Sequence, residues 1–145
     1  MDENEYRQTY RQVNTLPCVF ERAVLRRCGI CQHAQRLNLA EREAVGCQSS
    51  IARPTCQQFL SVMHQKSVFA VRSEQADTPL PFGKEIKIQC GAILGLQTEL
   101  GLVAPIDIHN ALTQAAKVHG SIDTLPYENI VREVNAFKTR RRRKS

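Results

Sequence analysis

Five of the six cysteines in this 145-residue chain fall between residues 18 and 56, as Cys18, Cys28, Cys31, Cys47 and Cys56, with Cys90 alone further on. Clustered thiols in a chain kept in a reducing compartment serve as metal ligands or redox groups more often than as structural disulfides. The first residues, MDENEYRQTYRQ, are acidic and polar, unlike a secretory signal or an Arg-rich transit peptide. The longest apolar run, around Gly91 to Leu96, is far too short for a membrane span. A cytoplasmic protein with reduced, ligating cysteines is the expectation.

The series Cys28-x2-Cys31-x15-Cys47-x8-Cys56 supplies four thiolates, the set that a tetrahedral zinc site or an iron–sulfur cluster needs. Whether they can meet depends on the chain between them. On one straight helix, Cys31 and Cys47 would lie about 24 Å apart, at 1.5 Å per residue. Asn38-Leu39-Ala40-Glu41 has the form of a capping box, which predicts a turn and then a short helix to Val45, stopped at Gly46, so that the segment folds back. On an unbroken helix Cys18 and Cys28 would be about 15 Å apart, too far to share one cluster. The ligands are therefore read as Cys28, Cys31, Cys47 and Cys56, with Cys18 as the substitute. Cys18 and Cys56 each follow a proline closely, so each is expected in a first helical turn, where free N–H groups favour thiolate.

Only one pair is tightly spaced, and no strands are foreseen to present the others as a zinc ribbon would. This points to a [4Fe–4S] cluster, with zinc as the alternative. Arg22, Arg26, Arg27, Arg36, Arg42 and Arg53 against Glu21, Glu41 and Glu43 give the region a local excess of cations that would offset an anionic cluster. The compact ferredoxin spacing is absent. His33 is read as solvated or hydrogen-bonding, Cys90 as core, and His64, His109 and His119 as structural. Cys28-Gly29-Ile30-Cys31 falls at a predicted helix end and not after a strand, which disfavours a thioredoxin-type dithiol. Gln32 stands where covalent haem attachment needs histidine. No phosphate-cradling loop, nucleophile elbow or HExxH is present, so a stand-alone enzyme is not expected.

Hydrophobic spacing predicts a mainly α protein of five to six helices with an N-terminal cysteine-rich metal-binding part. A helix after Pro17 carries Phe20, Ala23 and Val24 and should end near Gly29; another after Pro54 carries Cys56, Phe59, Leu60, Met63, Ser67 and Ala70. Residues 84–97 suit a helix through Ile86, Cys90, Ile93 and Leu94, although EIKIQC also alternates like a strand that Val68–Val71 might pair with. Asp107 caps a helix closed by Gly120, and a last one follows Pro126. The organisation expected is a cysteine-rich region over 1–72, a loop or linker over 73–83, a helical region packing on it over 84–137, and a basic disordered tail over 138–145.

That tail accounts for the whole charge imbalance. The chain has 20 basic and 14 acidic residues, and Lys138, Arg140, Arg141, Arg142, Arg143 and Lys144 supply the excess of six. Such a tail suits nucleic-acid phosphates or an acidic protein surface. Three functions follow as expectations. The first is a small iron–sulfur protein acting on a protein partner as an electron-transfer, cluster-carrying or accessory subunit. The second is a zinc- or cluster-dependent nucleic-acid-binding regulator using the arginine tail, and the third a thiol redox protein.

Overall fold

The computed structural model describes residues 2–67 and 82–137. The linker over 73–81, the strand partner Val68–Val71, Ala70 and the basic tail over 138–145 lie outside the described residues. Among the described residues there are six α-helices, one 3₁₀ turn and a two-stranded antiparallel hairpin: α1 (Glu3–Val13), α2 (Glu21–Leu25), β1 (Ala34–Leu39), β2 (Arg42–Cys47), α3 (Arg53–Lys66), α4 (Phe82–Leu100), α5 (Ile108–His119), the 3₁₀ turn (Ile122–Thr124) and α6 (Tyr127–Ala136). The mainly helical expectation holds. No helix among the described residues is long and apolar enough to cross a membrane.

The helices after residue 82 follow their sequence signals. EIKIQC lies inside α4, which begins at Phe82, so the end of the expected linker is already helical. Asp107 caps α5, its Oδ1 accepting the Asn110 N–H at 3.0 Å, and Gly120, at a φ of 98°, closes it. The closest packing is between α4 and α6. A Cβ added to Gly91 would lie 2.4 Å from Val134 Cα, and one added to Gly95 would lie 2.8 Å from Ile130 Cα. Only glycine permits backbones this close. Ile88, Ile93, Leu96, Leu112, Ile130 and Val134 fill the core around that contact. Phe59 on α3 touches Phe20 (ring centroids 6.0 Å apart) and Tyr127 (6.1 Å), so the two parts of the chain share one apolar core.

The cysteine-rich part departs from expectation in three places. A helix over Glu3–Val13, not foreseen, is capped by Asp2 Oδ1 accepting the Glu5 N–H and buries no residue. The helix after Pro17 is only Glu21–Leu25. It ends before Gly29 because Arg27 takes the left-handed conformation (φ 65°), with Arg27 N–H donating to Val24 O and Cys28 N–H to Ala23 O. This is the Schellman pattern with arginine where glycine is usual. Finally, the segment read as a capping box and short helix is the turn of the β1–β2 hairpin. Asn38 pairs with Glu43 and Leu39 with Arg42, around Ala40 at a φ of 59°. Burial of Leu39, Ala44 and Val45 outweighs the local capping preference.

Candidate metal centre

Four chain segments meet at the open end of β2. Residues 16–18 run along it as an antiparallel bridge, with Cys47 N–H donating to Leu16 O (2.7 Å) and Cys18 N–H to Val45 O (2.9 Å). The buried Asn14 side chain reinforces this edge, its Nδ2 donating to Val45 O at 3.0 Å. These bonds set Cys18 beside Cys47. Ala34 pairs with Cys47 across the hairpin, Ala34 N–H donates to Cys31 O (3.0 Å), and Gln48 N–H donates to His33 O (2.7 Å). Cys31 is thereby brought to the same end.

Cys31 is pinned from its other side by the start of α5. Ile30 N–H donates to Ile106 O (2.9 Å), Ile108 N–H donates to Ile30 O (2.8 Å), and Gln32 N–H donates to Asp107 Oδ2 (2.7 Å). The fourth segment is the first turn of α3. Ser49 links it to β2: its carbonyl accepts from Cys47 Sγ (3.3 Å) and Arg53 N–H (3.1 Å), and its Oγ accepts from Ala52 N–H (3.0 Å). Arg53 Nε donates to Pro17 O at 2.7 Å, tying α3 to the Cys18 segment.

The result is an apolar cavity lined by Cys18, Cys31, Cys47 and Cys56 together with His33, Ala34, Ala52, Arg53 and His109. All four cysteines are free thiols and partly buried. The remaining two cysteines are elsewhere. Cys28 is disulfide-bonded to Cys90, with Cα atoms 5.5 Å apart. The sequence ranks Cys28 first and Cys18 as its substitute, whereas the structure puts Cys18 at the cavity and Cys28 on the core. The cause is the Arg27 turn, which directs Cys28 toward α4 and leaves Cys31 facing β2. Cys90 is fully buried, as a core reading requires, but as a disulfide partner. His33 and His109, read as peripheral to the chemistry, line the cavity with their rings 5.3 Å apart. Their signal was topological, since only the fold brings residue 109 to residue 33.

Burial dominates the electrostatics of the metal-free thiols. It pushes Cys18 up to about 11 and Cys56 up to about 12, and it raises Cys31, with the neighbouring thiols adding to the effect in each case. The helix-start preference for thiolate expected at Cys18 and Cys56 is therefore overridden by desolvation. Backbone N–H groups oppose this, from Phe20 at Cys18 and from His33 and His109 at Cys31. Donors of this kind are what a metal-bound sulfur, deprotonated outright by the cation, would use to spread its charge. Two arginines counted from sequence as balancing cations are paired with carboxylates: Arg36 with Glu43 and Arg42 with Glu3, each at 2.9 Å. Arg53 lines the cavity itself.

The donor set suits soft-ligand metals, and the width of the cavity bears on which. In a four-thiolate zinc site the Zn–S distance of about 2.3 Å puts the sulfurs about 3.8 Å apart, in mutual contact, with no water-sized gap between them. Here the cavity has room for a water-sized sphere. That breadth suits a cluster better than a single ion. Among the described residues, no three ligand-type side chains are gathered as a grip on one metal ion. The hairpin, however, removes one ground for preferring iron–sulfur, because β2 does present Cys47 from a strand. In comparisons with known proteins, the chain matches no family model, no curated protein and no solved structure.

Proposed function

We propose that Cys18, Cys31, Cys47 and Cys56 ligate an iron–sulfur cluster of the [4Fe–4S] type. The chain then works as an electron-transfer, cluster-carrying or accessory subunit for a protein partner, and not as a stand-alone enzyme. The observation that carries this reading is the convergence of four free thiols, from four separate segments, on one apolar cavity wider than a zinc ion would leave. Apolar surroundings and N–H donors to sulfur are the means by which a protein tunes a cluster's potential. Ile30 and Ile51, 51% and 89% exposed, adjoin Cys31 and Ala52 and would give a partner apolar purchase beside the centre. The regulator reading rests on Lys138, Arg140–Arg143 and Lys144, which lie outside the described residues.

The test is anaerobic purification with iron, sulfide and zinc assayed on one sample. About four iron and four sulfide with a broad absorption near about 400 nm support the cluster. Cys18→Ser should lose most of that absorption, while Cys28→Ser should keep it. Colourless protein with about one zinc replaces the cluster by a structural zinc site. Failure to take up any metal after reconstitution rejects the reading.

A further inference from the structure

The six cysteines form two sulfur systems, and the stretch Cys28-Gly29-Ile30-Cys31 joins them. One end is bonded to Cys90 in the middle of α4, and the other lines the cavity. Three peptide links of about 3.8 Å each keep the Cα atoms of Cys28 and Cys31 within about 11 Å. The link is also held firmly. Both backbone groups of Ile30 are hydrogen-bonded to the chain at Ile106 and Ile108. A Cβ on Gly29 would lie 3.1 Å from Ile108 Cγ1 and 3.2 Å from Ile93 Cγ2, so the backbone here is pressed against α4 and α5. The two sulfurs of the bridge differ in access: Cys90 is fully buried, whereas Cys28 is only partly so. A bridge whose sole task was to staple the core would have no need of a tethered position beside the thiol cavity.

We infer that Cys28 and Cys90 are a redox-active pair served by the four-cysteine centre. In this step the centre accepts single electrons from a one-electron donor, such as a reduced iron–sulfur or flavin protein, and two of them pass to the disulfide. The Cys28–Cys90 S–S bond breaks, each sulfur gains one electron and takes one proton from water, and the products are two thiols. The donor is oxidised by two electrons in all. This inference rests on the metal-centre reading and adds to it a second, two-electron group on the same chain.

The experiment uses the full chain, loaded anaerobically with iron and sulfide, treated with oxidised glutathione under argon to set the pair as the disulfide, and freed of reagent. A portion is then stripped of iron with a chelator. Reduced methyl viologen, a one-electron donor, is added to both, and thiols are alkylated after acid quench and located by mass spectrometry. The expected result is labelling of Cys28 and Cys90 at least about tenfold faster in the loaded chain. The loaded chain should also consume about two more electrons than loaded Cys28→Ser, whose iron content and absorption are unchanged. Equal labelling rates in loaded and stripped chains overturn the inference while the iron assay leaves the centre standing. Cys28 and Cys90 remaining unbridged after oxidation overturns it as well. A chain that takes up no iron overturns the metal reading and the inference with it.

Discussion

Between α4 and α6, two glycines let the backbones approach until a single added methyl group would collide with Val134 or Ile130. Around the cysteine cavity, order is achieved differently. The segments 16–18, 30–34, 47–53 and 106–109 are held by single hydrogen bonds from backbone to backbone, or from Asn14, Ser49, Arg53 and Asp107. The helical half is stabilised by apolar contact that is complete in the chain itself. The cysteine half gathers partly buried thiols whose pKa values are raised by burial, an arrangement that reaches its full strength only when a cation removes their protons. One region is a finished core; the other is a receptacle.

The largest effect that would separate the two regions is metal loading. A centre saturated at about a thousand times its dissociation constant adds about 4 kcal/mol to the stability of whatever must unfold to release it. Hydrogen exchange should therefore slow most in residues 14–56 and less in α4 and α6. Uniform slowing across the chain would show that the regions unfold together and that the contrast is one of packing alone.

Next in size is Gly91→Ala, which forces α4 and α6 apart and should cost about 1–3 kcal/mol in a denaturant titration. Because the strain falls on the far side of the core from the thiols, metal content should stay near wild type. Loss of metal in a still-folded Gly91→Ala chain would break the distinction.

Asn14→Ala gives the converse case, at about 1 kcal/mol, because Val45 O keeps the Cys18 N–H as a donor when the amide is lost. The expected mark is on the site: the edge that carries Cys18 loosens, and metal is released to a chelator faster than from wild type. Unchanged release would mean that the Cys18–Val45 bond alone fixes that edge.

The smallest effect concerns a polar contact inside the helical half. Glu85 meets His64 Nε2 at 2.8 Å and accepts from Gln89 Nε2 at 2.9 Å, while Gln89 Oε1 accepts from Ala23 N–H. Burial works to raise the Glu85 carboxyl, but the hydrogen bonds from His64 and Gln89 outweigh it and hold the group below its ordinary 4.5. A carboxylate depressed in the folded state stabilises above its unfolded value and loses that contribution as pH falls through its folded one. The denaturation midpoint should drop on acidification below about pH 4.5, and Glu85→Gln should flatten that drop. Parallel acid limbs in both proteins would remove Glu85 from the account.

The same contrast explains what the sequence disclosed. In the helical half, capping at Asp107, Gly120 as a stop and the spacing Ile86, Cys90, Ile93 are local signals, and the structure follows them. In the cysteine half two left-handed turns fall on Arg27 and Ala40, residues that carry no turn signal, while Gly29 and the Asn38–Glu41 box advertised boundaries that the chain does not use. The grouping of Cys31, Cys47 and Cys56 was arguable from spacing. The exchange of Cys28 for Cys18 was not, because it depends on a backbone reversal that arginine rather than glycine performs. The approach of His109 depends on a bridge between Ile30 and Asp107, and no local pattern announces it.

That bridge has a consequence for how the protein comes to maturity. The placement of Cys31 is set by residues 106–109, and Cys28 is secured by Cys90, both far along the chain. A ribosome that has released the four cavity cysteines has therefore not yet released the parts that aim them. Cargo delivered early would meet a loose, unselective set of thiols. Loading belongs after synthesis, on a chain whose later helices have already emerged and docked.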